Sequence, residues 1–225
     1  MTQRNEQPPL RALRAAVSES RFATYLRHSG GDEELAWRLY EWNLEVSAAL
    51  MTPLNMLEVT LRNRLYEAGA RPYGSNWLTT STHFRAAERA IVAGASDYLT
   101  RRNTPVNPGA VIAELPLGFW VGLLANHYDQ TLWRQGLHRA FASGTNRREL
   151  HPQLDRLRTL RNRIAHHEHL LNRDVEADLT RIDTVLEQLD PDVATWVRQL
   201  PAARSAISTR PSPPATSDRQ PHGFR

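Results

Sequence analysis

The chain contains no cysteine, which excludes disulfides and thiolate-bound metals. It contains no lysine either, so all 28 residues counted as Lys+Arg are arginine, a bias that a GC-rich genome produces. Long apolar runs are missing. The longest, around 115–125, is short and interrupted by Gly118 and Gly122, so it cannot span a bilayer. Pro8, Pro9 and several polar residues stand where a secretory leader would carry its apolar stretch. The expectation is a cytoplasmic protein with no membrane partner. No glycine-rich phosphate loop, acidic metal cluster or internal repeat is found, and no alternation of period two is long enough for a sheet. The formal net charge of +4 permits a polyanionic partner without requiring one.

What is present is helical patterning. With 225 residues and 40% hydrophobic content, the chain suits a single domain with a substantial core. Residues 1–17 are expected to be a flexible N-terminal arm, 18–200 one helical domain, and 201–225 a disordered Pro/Ser/Arg-rich tail without the apolar content to order itself. Asp32 should cap a helix carrying Leu35, Leu39, Trp42 and Val46. Pro53 should end or kink it, and a following helix should close at Gly69. A helix over 84–102 is expected to pack through Ala86, Ala90, Ala93 and Tyr98. Asn146 to Glu149 fits a capping box, Asp174 fits a cap, and Asp190-Pro191 fits a cap followed by proline at the first helical position. The predicted fold class is all-α, a helical bundle.

The stretch from Arg156 to Leu171 is expected to form one amphipathic helix ending near Leu171–Arg173. At about 100° per residue, Leu157, Leu160, Ile164 and Leu171 share a core-facing stripe. Arg158, Asn162, His166 and His169 line a different face, with Arg161 at the border. Guanidinium, amide and imidazole together suit phosphate chemistry, because arginine presents a planar fork of donors and histidine exchanges protons near neutral pH. An arginine-rich face is also what a merely solvated helix shows, and spacing alone leaves both readings open. Upstream, Glu58 and Arg62 lie one turn apart, with Asn63 following. They form either an intrahelical ion pair or a second polar wall of the same site.

Arg161-Asn162-Arg163-Ile164-Ala165-His166 resembles the R-N-x-x-x-H signature of the HEPN superfamily. Leu157-Arg158 before it and His167-Glu168 after it resemble the Abi-like, abortive-infection branch. Three further segments resemble that branch in the same order: Ser20-Arg21-Phe22-Ala23-Thr24-Tyr25, Leu57-Glu58-Val59-Thr60-Leu61-Arg62-Asn63, and Leu115-Pro116-Leu117-Gly118-Phe119-Trp120. The likeness covers about residues 18–200. A single R-x4-H string is weak, and four ordered segments are much more specific.

The resemblance implies a HEPN-like helical bundle with additional helices. It also implies a metal-independent endoribonuclease with no cofactor, acting in phage defence or as a toxin. In such a reaction the RNA 2′-hydroxyl attacks the adjacent phosphorus, leaving a 2′,3′-cyclic phosphate and a 5′-hydroxyl. The expected catalytic residues are Arg161 as phosphate binder, Asn162 as orienter and His166 as acid or base. Glu58, Arg62, Asn63, Arg158, His167 and His169 are expected to support them or bind phosphate. RNA, a second copy of the chain in a homodimer and an antitoxin are the implied partners. A non-catalytic RNA- or nucleotide-binding module and a dimeric interaction scaffold stand as alternatives. A metal held by His166, His167, Glu168 and His169 is a weaker one, since their order is not H-E-x-x-H. For Phe119 and Trp120 the readings are core packing or base stacking.

Overall fold

A computed structural model describes residues 10–212. Every regular element among these residues is helical, so the protein is all-α. The chain is organised on one long helix. In order come α1 (Leu10–Val17), α2 (Glu19–His28), α3 (Glu33–Tyr73), α4 (Trp77–Thr80), α5 (Ala86–Arg101), α6 (Pro108–Glu114) and α7 (Leu117–Gly122). An irregular stretch of 3₁₀ and π turns follows, from Asn126 to Ala140. Then come α8 (Arg147–Ala165), α9 (Val175–Leu189), α10 (Pro191–Arg198) and α11 (Ala202–Ser208).

The 41 residues of α3 span roughly 60 Å at 1.5 Å per residue. Asp32 starts the helix, its Oδ1 accepting from the Leu35 amide at 2.9 Å, with Glu33 and Glu34 in the first turn where negative charge favours the helix dipole. Leu35, Leu39, Trp42, Val46, Leu50, Leu54, Leu57, Leu61 and Leu65 recur at steps of three and four and are all buried. That column is the seam on which α2, α8, α9 and α11 pack.

Pro53 does not end α3, the first of the two outcomes expected from sequence. It lies inside the helix and is itself buried. Its ring removes one backbone hydrogen bond, a loss on the order of 3 kcal/mol. The Leu50 and Leu54 side chains on either side are essentially inaccessible, and burying two such groups offsets the loss. Gly69 does not close the helix either. It is buried, and a Cβ there would lie 2.5 Å from the Trp77 ring, so this glycine permits close packing. The chain turns at Gly74, where φ is +83°.

The two ends also differ from expectation. Residues 10–17 are helical, with Arg14 paired to Glu19 at 2.7 Å and its guanidinium 5.4 Å from the Phe22 ring centroid. Beyond Pro201 the chain forms α11 instead of beginning a disordered tail. The Trp42 indole N–H donates to the Ala206 carbonyl at 2.9 Å, and the Arg210 guanidinium lies 4.9 Å from the Trp42 ring centroid. Polar and cation–π contacts to α3 supply what the small apolar content of this segment does not. The rest of the expected arm and tail, residues 1–9 and 213–225, lies outside the described residues. In α5, Ala86, Ala90, Ala93 and Tyr98 are exposed, and Val92, Ala95 and Leu99 form the buried face.

Candidate functional site

The site is built on α8. Asn146 caps it, with Oδ1 accepting from the Arg148 amide at 3.0 Å and Nδ2 donating to Glu149 Oε1 at 2.7 Å. The helix therefore starts at the expected box, and Pro152 falls inside it. Leu150, Leu154, Leu157, Leu160 and Ile164 form its buried seam. Arg161 of α8 meets Glu58 of α3, and Leu170 beyond the helix meets Asn43. Residue numbers rise along one element as they fall along the other, so α8 runs antiparallel to α3.

The helix stops earlier than the sequence pattern suggested. Ala165 is its last residue and His166 is the C-cap. His167 takes the left-handed conformation, with φ +55°. Its amide donates to the Ile164 carbonyl at 3.0 Å, and the Glu168 amide donates to the Arg163 carbonyl at 2.8 Å. This pair of bonds closes a helix end where glycine is the usual residue, and histidine is among the side chains that tolerate it. Beyond the stop the chain is tied to α3. The buried Asn43 side chain accepts from the Leu170 amide at 2.7 Å, drawing Leu170 and Leu171 into the core.

This stop divides the expected polar face. Asn162 and His166 remain one turn apart, joined by the His166 amide donating to the Asn162 carbonyl at 2.9 Å. Asn162 is half-buried and His166 is exposed. No side-chain hydrogen bond links them among the described residues. His169, expected on the same face, is instead carried to α2, its ring centroid 5.9 Å from that of His28. Leu171 joins the core from the loop after the helix, not from the helical stripe.

The two readings of Glu58 are separated by the geometry. Its Oε2 lies 3.4 Å from Arg161 Nε on the neighbouring helix, so its partner is across the α3–α8 contact and is not Arg62. Both side chains are largely sheltered, with 37% of Arg161 and 17% of Glu58 exposed. Arg62 is half-buried one turn further along α3, and its Nε is shielded from solvent without a hydrogen-bond partner. Asn63 is exposed and turned about 100° around α3 from Arg62. Arg158 is held by Asp155, with Nε and Nη2 at 2.9 and 2.8 Å from the same carboxylate oxygen. A Cβ on Gly118 would lie 3.5 Å from Arg158 Cδ, an ordinary van der Waals contact, so α7 packs against the arginine stem without needing a glycine there.

A third segment reaches the end of α8. Arg21 of α2 donates from Nη1 to the His167 carbonyl at 2.5 Å. Arg21, Glu58 and Gly118 come from three stretches far apart in sequence, and all meet the half-helix from Arg158 to His167. Phe119 and Trp120 take no part at the surface. Both are buried, packed edge to face with centroids 5.2 Å apart, so they belong to the core and offer no face to a base.

Asn43, Arg21 and Arg163 were not singled out by the sequence as site residues. Asn43 left one signal, an amide four residues after Leu39 and three before Val46, on the apolar side of its helix. Among the described residues no three His, Asp or Glu side chains cluster as metal ligands, and no helix is long and apolar enough to cross a membrane. Compared with known proteins, the chain matches no family model, no curated protein and no solved structure.

Proposed function

We infer that the protein is a metal-independent endoribonuclease of the HEPN type, in the Abi-like branch, working as a cytoplasmic homodimer in phage defence or as a toxin. The observation that carries this reading is the Glu58–Arg161 contact. It joins the segment resembling L-E-V-x-L-R-N to the R-N-x-x-x-H motif, and it sets a carboxylate 3.4 Å from the Arg161 guanidinium, whose Nε makes no hydrogen bond. In the proposed reaction the 2′-hydroxyl of RNA attacks the adjacent phosphorus and the 5′-oxygen leaves. His166 moves a proton, while Arg161, with Arg62 one turn from its carboxylate partner, stabilises charge on the non-bridging oxygens. A strand lacking the 2′-hydroxyl is inert. Each chain brings one His166, and a second copy supplies the second acid–base group.

A second reading, a non-catalytic RNA- or nucleotide-binding module, draws on a specific feature. Arg161 is already paired with a carboxylate, and Asn162 does not reach the His166 ring. One assay separates the two. Purified protein is incubated with single-stranded RNA and its all-deoxy counterpart, with and without EDTA, and the product ends are identified. The expected result is cleavage of RNA alone, resistant to EDTA, with 5′-hydroxyl ends. His166→Ala should reduce it by roughly 10²–10⁴-fold, and His167→Ala should retain most activity. RNA binding without cleavage, unchanged in His166→Ala, favours the binding module. Cleavage of the deoxy strand sinks the mechanism.

A further inference from the structure

His167 and His169, expected to assist His166, line a separate cleft of about 440 Å³ between α2 and the turn after α8. Ser20, Arg21 and Thr24 line its α2 side, and Arg163 lines it from α8. Glu168 also lines it, one carboxylate set against the two guanidinium groups of Arg21 and Arg163. Arg21 spends one N–H on the His167 carbonyl, leaving its other donors to the cleft. Arg163 Nη2 donates to the His169 carbonyl at 3.0 Å. Its Nε is 3.5 Å from the Glu168 carboxylate, in poor geometry for a hydrogen bond, and has no other partner. His169 Nδ1 is likewise shielded and unpartnered. Burial, with Arg163 and His28 nearby, holds the His169 imidazole below the usual histidine range, against the opposing pull of the Glu168 carboxylate. Tyr25 brings no opposing charge, since burial and the neighbouring Tyr40 push its hydroxyl up to about 12.

Two guanidinium forks, hydroxyls on the first turns of α2 and a helix N-terminus on one wall are the donors that a phosphate group needs. We propose that this cleft is a second phosphate subsite, taking a phosphodiester of a single RNA strand next to the one held at Arg161 and His166. The strand's identity rests on the nuclease reading, and the adjacency follows from the chain itself, because His167 lines the cleft and His166 precedes it. The left-handed turn at His167 then has a use. It points consecutive residues into two sites, and the Arg21 bond to its carbonyl locks the step between them.

The test uses a short 2′-O-methyl oligoribonucleotide, which presents phosphodiesters but no attacking hydroxyl, so binding is read whether or not the protein cleaves. Ser20→Asp places a carboxylate at the mouth of the cleft, in the first turn of α2 where negative charge suits the helix. It removes none of the bonds described for Arg21 and Arg163. By fluorescence anisotropy its affinity should fall about tenfold near 0.1 M salt. The slope of log affinity against log salt should lessen by about 0.7, the share of one phosphate on a single strand, with the melting temperature unchanged. Arg21→Gln should behave similarly. Inorganic phosphate should displace the strand from the native protein better than chloride of equal ionic strength does, and should lose that advantage in Ser20→Asp.

Equal strand affinity and salt slope in the native protein and Ser20→Asp would overturn the proposal, as would no strand binding at all. Phosphate binding lost in Ser20→Asp, with strand binding intact, overturns the assignment to a strand and leaves a free-anion site. His166-dependent cleavage with normal strand binding in Ser20→Asp sinks the cleft and spares the nuclease. Strand binding lost in Ser20→Asp, in a protein that cleaves no RNA, does the reverse.

Discussion

Glu58 and Arg161 meet across the α3–α8 packing with Oε2 and Nε 3.4 Å apart, and the pairing has two opposed consequences. The ion pair makes no hydrogen bond at Nε, but its charge attraction biases toward Glu58 a guanidinium that would otherwise sample many rotamers, which favours a fixed phosphate contact. It also sets a negative charge near the place where a phosphate would bind. Glu58→Gln separates these effects. Loss of orientation should lower single-turnover RNA cleavage roughly tenfold, equivalent to about 1.4 kcal/mol of activation free energy. Removal of the carboxylate should leave affinity for an uncleavable strand equal or higher. Cleavage at the native rate would show that Arg161 needs no such guide.

A second prediction concerns Arg147, at the start of α8 and remote from the motif. Its side chain is 7% exposed. It donates to Asp129 Oδ1 at 2.9 Å, to the Leu124 carbonyl at 2.8 Å and to Asn126 Oδ1 at 2.8 Å. It thereby holds the irregular stretch before α8 in place. Arg147→Met should lower stability by about 3 kcal/mol, because the buried Leu124 carbonyl and the half-buried Asp129 carboxylate lose their donor. Hydrogen bonding from Arg147, aided by Arg134, holds the Asp129 carboxyl below the usual range. A depressed folded-state pKa stabilises above the unfolded value and ceases to as pH falls through the folded one. Urea midpoints should therefore decline less steeply below about pH 4 in Asp129→Asn than in the native protein. Parallel declines would mean that other carboxylates govern acid unfolding.

The carboxy-terminal helix yields a third. Its sequence, low in apolar residues, suggested that truncation after Leu200 would be harmless. The structure reverses this, because removal uncovers Trp42, Ala203's place in the core and the Leu171 carbonyl that Arg210 Nη2 meets at 2.7 Å. Chains ending at Leu200 should lose at least about 2 kcal/mol, and Arg210→Ala about 1 kcal/mol. A melting temperature unchanged by the truncation would return α11 to the status of a dispensable tail.

What the sequence made legible follows from the range of the forces involved. The caps at Asp32, Asn146, Asp174 and Asp190 all accept hydrogen bonds from the first turns of their helices, since capping is decided within four residues. The Leu157–Leu160–Ile164 seam follows from periodicity for the same reason. The passage of α3 through Pro53 was not legible, because neighbouring elements bury both sides of it. The stop at His166 was not legible either. The chain beyond it is held by Asn43, 127 positions from Leu170, and no local rule contains that contact. At the site, the resemblance named Glu58 and Arg161, but only packing revealed that they pair with each other. Spacing alone placed His169 beside His166, and the left-handed turn at His167 separated them.

The last prediction is the homodimer. One chain brings a single motif and a single His166, and a proton-transfer reaction wants both a base and an acid. The surface offers a place for the partner. Leu44 is 51% exposed and Met51 38% exposed, with Ala48 and Asn55 also exposed. At about 100° per residue these four lie within roughly 60° of one another on α3. Continuing along that direction leads to Arg62, and α8 runs antiparallel alongside. An apolar stripe bordering the site suits a two-fold contact that brings two motif helices together. Light scattering at micromolar concentration should give twice the 25.6 kDa chain mass. Leu44→Glu, alone or with Met51→Glu, should yield a folded monomer with unchanged helicity. Its RNA cleavage should fall by at least about tenfold, because the composite site is split. Fully active monomers would mean that each chain carries a complete site, with His167 or another group of the same chain supplying the missing proton transfer.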